Sequence, residues 1–171
     1  YPCMIRQALS VCRLAGLDEH DIKEVLDFTM QRLIDDAEGM TPPHIGALVQ
    51  HQIRVYLGRP VSGFDPYGPL KRYTNERALT YETHFDSLLE QSSDRLAMAV
   101  RIAAAGNIID FGATDHASFD IDREIAGIPD LTFSIDHLDA LRRMLADART
   151  VLYIGDNAGE IVLDRLFIEQ L

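Results

Sequence analysis

The sequence predicts an α/β protein: an all-helical region over residues 1–105, then the beginning of an α/β core over residues 106–171. Three observations carry this. Apolar residues recur at helical spacing through the first hundred residues. The style changes at Gly106, where polar side chains enter an apolar stretch bounded by glycines. Val151-Leu152-Tyr153-Ile154 then runs straight into a glycine-bearing turn and another helical stripe, the order strand, turn, helix that makes half of a βαβ unit.

Element by element, Ile5, Ala8, Leu9, Cys12 and Ala15 share one helical face, with Pro2 suited to the first turn and Gly16 to the stop. Asp18 caps a second helix striped by Ile22, Val25, Leu26, Met30, Leu33 and Ile34. Thr41-Pro42-Pro43 starts a third, carrying Ile45, Leu48, Val49, Gln52, Ile53 and Tyr56 to Gly58. Arg59 to Tyr67 holds three punctuating residues, Pro60, Gly63 and Pro66, and is predicted as loop. Asp65-Pro66 opens one long helix to about Gln91, with Ala78, Tyr81, Phe85, Leu88 and Leu89 aligned. Asp94 to Ala105 is apolar nearly all round, so it is predicted as a buried helix whose small residues admit close neighbours.

After Gly106, a polar linker is expected from Ala113 to Asp122 and a short strand from Leu131 to Ile135. Asp136 caps a helix through Leu138, Leu141, Met144 and Leu145. Val151 to Ile154 is continuously apolar, as a strand buried on both faces is, and Ile161 to Leu171 is the last helix. A parallel sheet needs further strands beside this one. The chain is therefore expected to be the N-terminal part of a longer polypeptide, with the remainder beyond Leu171 completing both sheet and site. Activity of these 171 residues alone is not expected.

Charge and cysteine usage narrow the function classes. With 27 acidic side chains against 16 Lys and Arg, the formal charge is −11, which argues against a nucleic-acid partner. No apolar run approaches the ~18 residues of a membrane span. Cys3 and Cys12, nine residues apart on one predicted helix, lie about two and a half turns apart, beyond the ~7 Å Cα limit of a disulfide. Two unpaired cysteines fit a reducing, cytoplasmic setting, and the first residues show no basic region ahead of an apolar stretch.

The best candidate site is Gly155-Asp156-Asn157-Ala158-Gly159-Glu160. Ligands in open α/β sheets bind at the carboxyl ends of strands. Here that end would carry Asp156 and Asn157, oxygen ligands for a hard divalent cation. Gly159 at the helix start would let a phosphate approach backbone N–H groups. Metal and phosphate at one turn point to phosphoryl chemistry. The plainer reading makes Asn157-Ala158-Gly159-Glu160 a capping box, with Asn157 at the cap and Glu160 three residues on. Asn107 and Asp110, in Gly106-Asn107-Ile108-Ile109-Asp110-Phe111-Gly112, either stop the preceding helix or face the same site. His44 and His51 have no carboxylate or thiol nearby in sequence to complete a metal set, and Cys12 falls on an apolar stripe as an inert core residue.

These motifs resemble the damage-control phosphatase family, also called domain of unknown function 89 or ARMT-like. The resemblance runs along the whole chain, through Tyr1-Pro2-Cys3-Met4-Ile5-Arg6-Gln7-Ala8-Leu9, Asp65-Pro66-Tyr67 with Lys71 and Asn75, the stretch from Gly106 to Gly112, and Tyr153 to Ile161. It implies a helical N-terminal region on a Rossmann-like α/β/α core, and a divalent-metal-dependent phosphatase using Mn, Co, Ni or Mg on small phosphorylated metabolites, sugar phosphates or damaged metabolite phosphates. By the resemblance, Asp156 and Asn157 fall on the metal-binding pair and Asn107 and Asp110 on an Asn-Asp motif beside the active site. Lys71 and Asn75 are expected at the substrate, and Glu160 is expected either to orient water or only to cap its helix. Cys3 matches the second member of a Cys-x-x-Cys pair whose first member would precede Tyr1. A further metal-binding Asp and a phosphate-binding Lys are implied beyond Leu171. Two alternatives stand beside this reading: an S-adenosylmethionine-dependent carboxyl methyltransferase, and a non-catalytic helical interaction module.

Overall fold

The computed structural model describes residues 2–35, 41–58, 65–109 and 120–171 of the chain. It divides into two compact units, Tyr1–Gly68 and Pro69–Leu171.

The first unit is three helices: α1 (Pro2–Leu14), α2 (Glu19–Asp35) and α3 (Pro42–Tyr56). Of the stripes read from the sequence, Cys12, Val25, Leu33, Val49 and Ile53 meet in its core, joined by Val11, whereas Met30 and Ile34 are exposed. Gly16 takes φ +74°, the left-handed turn that stops α1. Asp18 Oδ1 accepts the Asp21 N–H at 2.9 Å and so caps α2. Burial pushes the Cys12 thiol up in pKa, while Cys3 is exposed, and both are free thiols.

The second unit holds α4 (Gly68–Leu79), α5 (Glu82–Gln91), α6 (Arg95–Gly106), α7 (Ile121–Ala126), a 3-10 turn (Ile128–Asp130), α8 (Leu138–Asp147) and α9 (Glu160–Ile168). Its core joins Phe85 and Leu89 of α5, Ala99 and Ile102 of α6, Ile125 of α7 and Leu163 and Leu166 of α9. The small residues of α6 act as expected. A methyl group placed on Gly106 would lie 3.5 Å from both Glu160 Cα and Leu163 Cβ, so α9 sits directly on the end of α6.

The α/β expectation is overturned. Among the described residues there is no strand and no sheet, so a Rossmann-like core is not supported among them. A strand exists only through a ladder of hydrogen bonds to a neighbour, and Val151–Ile154 has none among the described residues. Nor is it buried on two faces, because Leu152 and Ile154 are each 85% exposed. Leu131–Ile135 is irregular as well, and the Leu131 carbonyl accepts from Arg101 Nε at 3.0 Å instead of from a second strand.

Two further elements differ. The long helix from Pro66 to Gln91 is two, α4 and α5. Thr80 Oγ1 donates to Arg77 O at 2.7 Å, and the N–H groups of Thr80 and Tyr81 bond three residues back rather than four. A hydroxyl competing for the backbone ends the helix there. The linker read to Asp122 ends earlier, because Asp120 caps α7 by accepting the Arg123 N–H at 3.2 Å; its first part, residues 113–119, lies outside the described residues.

Asp94 is the N-cap of α6, accepting the Ala97 N–H at 3.1 Å and pairing with Arg142 of α8. The Arg142 guanidinium, and then the Ala97 N–H, hold its carboxyl below the usual pKa. A depressed carboxyl stabilises the fold above its unfolded pKa of about 3.9 and loses that contribution as pH falls through the folded value. Asp94→Ala is therefore expected to cost about 1 kcal/mol at pH 7, with the gap in melting temperature between variant and parent closing below about pH 3.9. A gap unchanged between pH 7 and pH 3 contradicts this.

Candidate active site

The turn from Gly155 to Glu160 enters α9. Asp156 and Asn157 are both exposed, and no described residue donates to the Asp156 carboxylate. The capping box does not form: the N-cap of α9 is Gly159, and no side chain caps it. Asn157 Nδ2 instead donates to Glu160 Oε1 at 2.8 Å. That bond fixes the carboxamide with its nitrogen on Glu160, and leaves Oδ1 turned from that carboxylate.

Gly159 has φ +86° and ψ −53°, a conformation that L side chains rarely adopt. It is buried, so an unpaired N–H there would cost about 1–3 kcal/mol. Asn75 of α4 meets that need: its Oδ1 accepts the Gly159 N–H at 2.6 Å across 84 residues of chain. This N–H is thus already engaged within the protein, and is not among those open to an anion. Lys71 is exposed on α4 one turn before Asn75, on the same helix face.

Asn107 is exposed and forms the C-cap of α6 at φ −74°, in right-handed rather than left-handed geometry. Because Gly106 packs against Glu160 Cα, the residue before Asn107 stands against the residue that opens α9. Asp110 lies outside the described residues. His44 and His51 are exposed on α3.

Two contacts behind the turn were not foreseen. Asp164, 9% exposed, accepts the Tyr153 hydroxyl at 2.7 Å, and the Tyr153 ring packs on Phe167 with centroids 5.9 Å apart. The only sequence signal was a lone acid inside the apolar run Ile161-Val162-Leu163-Asp164. Desolvation, with the Asp164 hydrogen bond and charge, pushes the Tyr153 hydroxyl up to about 12. A raised pKa means that its stabilisation is complete below the unfolded tyrosine value near 10 and is lost as pH climbs toward the folded one. Tyr153→Phe is expected to cost about 1–3 kcal/mol, since Asp164 stays buried without its donor. It should also remove the latest step from the tyrosinate absorbance titration. A titration identical to the parent's means that the bond is not made in solution.

As metal ligands, the described residues are right in kind and short in number. Asp156 and Asn157 supply hard oxygen donors of the type that Mg²⁺-like cations take. Yet no group of three or more His, Cys, Asp and Glu able to hold a metal occurs among the described residues. No described helix is long and apolar enough to cross a membrane.

The whole chain, residues 1–171, matches the model of the damage-control phosphatase ARMT1-like domain, and the protein belongs to that family. It is 32% identical to an uncharacterized protein of Methanocaldococcus jannaschii, over 99% of this chain and 56% of that protein. It is 25% identical to a damage-control phosphatase of Pyrococcus horikoshii and 23% identical to one of Archaeoglobus fulgidus, over 99% of this chain and 56% and 58% of theirs. A crystal structure of a DUF89 family protein from Pyrococcus horikoshii superposes with a TM-score of 0.76 at 24% identity, covering 99% of this chain and 57% of that one. The chain thus spans a little over half the length of the curated relatives it matches.

Proposed function

We propose that the protein acts as a divalent-metal-dependent phosphatase of small phosphorylated metabolites, sugar phosphates or damaged metabolite phosphates. Membership of a family with relatives named as phosphatases supports the reaction class. The observation that carries the site is at the turn: Asn157 is not spent as a helix cap, and beside it Asp156 stands exposed with no described donor. Asp156 and Asn157 would hold Mn, Co, Ni or Mg as part of a larger ligand set. A bound cation polarises a phosphoryl oxygen and lowers the pKa of coordinated water.

Each remaining role belongs to this chain's own residues. Glu160, bonded to Asn157 Nδ2, keeps the carboxamide oxygen presented. Lys71 supplies positive charge for a substrate phosphate, and Asn107 supplies a polar contact. The reading is tested by titrating the whole protein with Mn²⁺ and assaying hydrolysis of p-nitrophenyl phosphate with each of the four metals. Metal-stimulated turnover is expected. A protein that binds none of the four and hydrolyses nothing fits the non-catalytic module instead.

A further inference from the structure

We infer that Asn75 is a positioning residue for the metal-holding turn, acting through Gly159 rather than on substrate. The inference rests on the phosphatase reading of that turn. Three hydrogen bonds hold Asn157 and the Gly159 N–H at the approach to α9. Asn157 Nδ2 donates to Glu160 Oε1 at 2.8 Å, the Ile161 N–H donates to Asn157 O at 3.2 Å, and the Gly159 N–H donates to Asn75 Oδ1 at 2.6 Å. The first two run from Asn157 to Glu160 and Ile161 at the start of α9, and so tie the turn to that helix across Gly159. The third ties it to a separate helix.

Gly159 stands between Asn157 and both of those partners, Glu160 and Ile161. Its φ of +86° lies in a region that only glycine enters readily, and a glycine that enters readily also leaves readily. Gly159 is two residues from Asn157, so rotation about it swings the Asp156-Asn157 pair relative to the helices behind. α4 does not drift with it, because Thr74 and Ala78, flanking Asn75, are buried. Asn75 is half-buried. A carboxamide oxygen on a rooted helix therefore holds a glycine whose rotation would misplace both oxygen donors. Asn75 was expected at the substrate, and its carbonyl is occupied by the turn instead. Outer contacts of this kind are worth about 10–100-fold in metal affinity or activity.

The test compares Asn75→Ala and Asn75→Asp in the whole protein. Readouts are Mn²⁺ affinity, kcat and KM for p-nitrophenyl phosphate, and exchange protection of the Gly159 amide by NMR. Positioning predicts that Asn75→Ala weakens Mn²⁺ binding and lowers kcat about 10–100-fold with KM nearly constant, and that the Gly159 amide loses protection. Asn75→Asp keeps an oxygen acceptor, so it should restore affinity, kcat and protection to within a few-fold. A substrate-binding Asn75 predicts the reverse for aspartate, because a second negative charge beside the phosphate raises KM. That outcome overturns the inference, as does Asn75→Ala with parental Mn²⁺ affinity and kcat despite a deprotected Gly159 amide. Failure of the underlying reading is distinct: the unsubstituted protein itself then shows neither Mn²⁺ binding nor turnover, and the inference falls with it.

Discussion

Asp156→Ala is expected to abolish metal-dependent hydrolysis while leaving the fold intact. The side chain is exposed and accepts from no described residue, so its removal should change stability by no more than about 0.5 kcal/mol. Its chemistry is another matter. If outer contacts to metal ligands are worth about 10–100-fold, loss of the ligand itself should cost at least about 100-fold in turnover, together with weaker Mn²⁺ binding. The check is hydrolysis of a generic phosphomonoester with Mn, Co, Ni or Mg, run beside thermal melting. Parental turnover with metal still bound would place the site elsewhere. A large drop in melting temperature would show instead that Asp156 holds the turn together. Asn157→Ala separates the two readings of the motif from the other side. A capping residue would cost about 1 kcal/mol and keep activity. With Gly159 at the cap, the variant is expected to lose activity with little loss of stability.

What the sequence carried, and what it did not, divides along the range of the interactions involved. α1, α2, α3 and α6 were legible because a helix satisfies its backbone locally and shows its buried face as a stripe of near neighbours. Val25, Leu33, Val49 and Ile53 are core residues for that reason. The break between α4 and α5 was not legible, because the apolar stripe from Ala78 to Leu89 continues across it while a single hydroxyl, Thr80, takes the carbonyl that matters. The strand readings failed for a deeper reason. An apolar run such as Val151 to Ile154 states that a segment is hydrophobic, but a strand is a relation between two segments. No partner is present among the described residues.

The candidate site divides in the same way. Asp156, Asn157 and Glu160 stood out as a candidate because they fall within five residues and are chemically distinctive. Their local bonding was not, since a capping box and the observed Asn157–Glu160 side-chain pair have the same sequence signature. The links to Asn75 and from Tyr153 to Asp164 cross 84 and 11 residues, and no periodicity records such pairings.

Leu163→Ala is the substitution expected to damage the second unit most directly, by about 2–5 kcal/mol. Leu163 is fully buried on α9, and a methyl on Gly106 would already lie 3.5 Å from its Cβ and Cδ2. The cost of a large-to-small change depends on how far the surroundings collapse into the gap. Here the facing surface is the backbone of α6, held on its other sides by the buried Ala99, Ile102 and Ala105. A helix backbone relaxes less than a flexible side chain, which puts the cost toward the upper end. The measurement is hydrogen exchange at α6 and α9 amides, which reports the opening of this unit without assuming that the whole chain unfolds as one. Leu152→Ala is the paired control. The same residue type stands 85% exposed eleven positions earlier, and in this 171-residue chain its loss should stay within about 0.5 kcal/mol. Had Val151 to Ile154 been a strand buried on both faces, the two leucines would cost alike. Equal losses would therefore restore the buried strand and refute the observed exposure, whereas a large loss at Leu163 alone is what a helix-on-helix core requires.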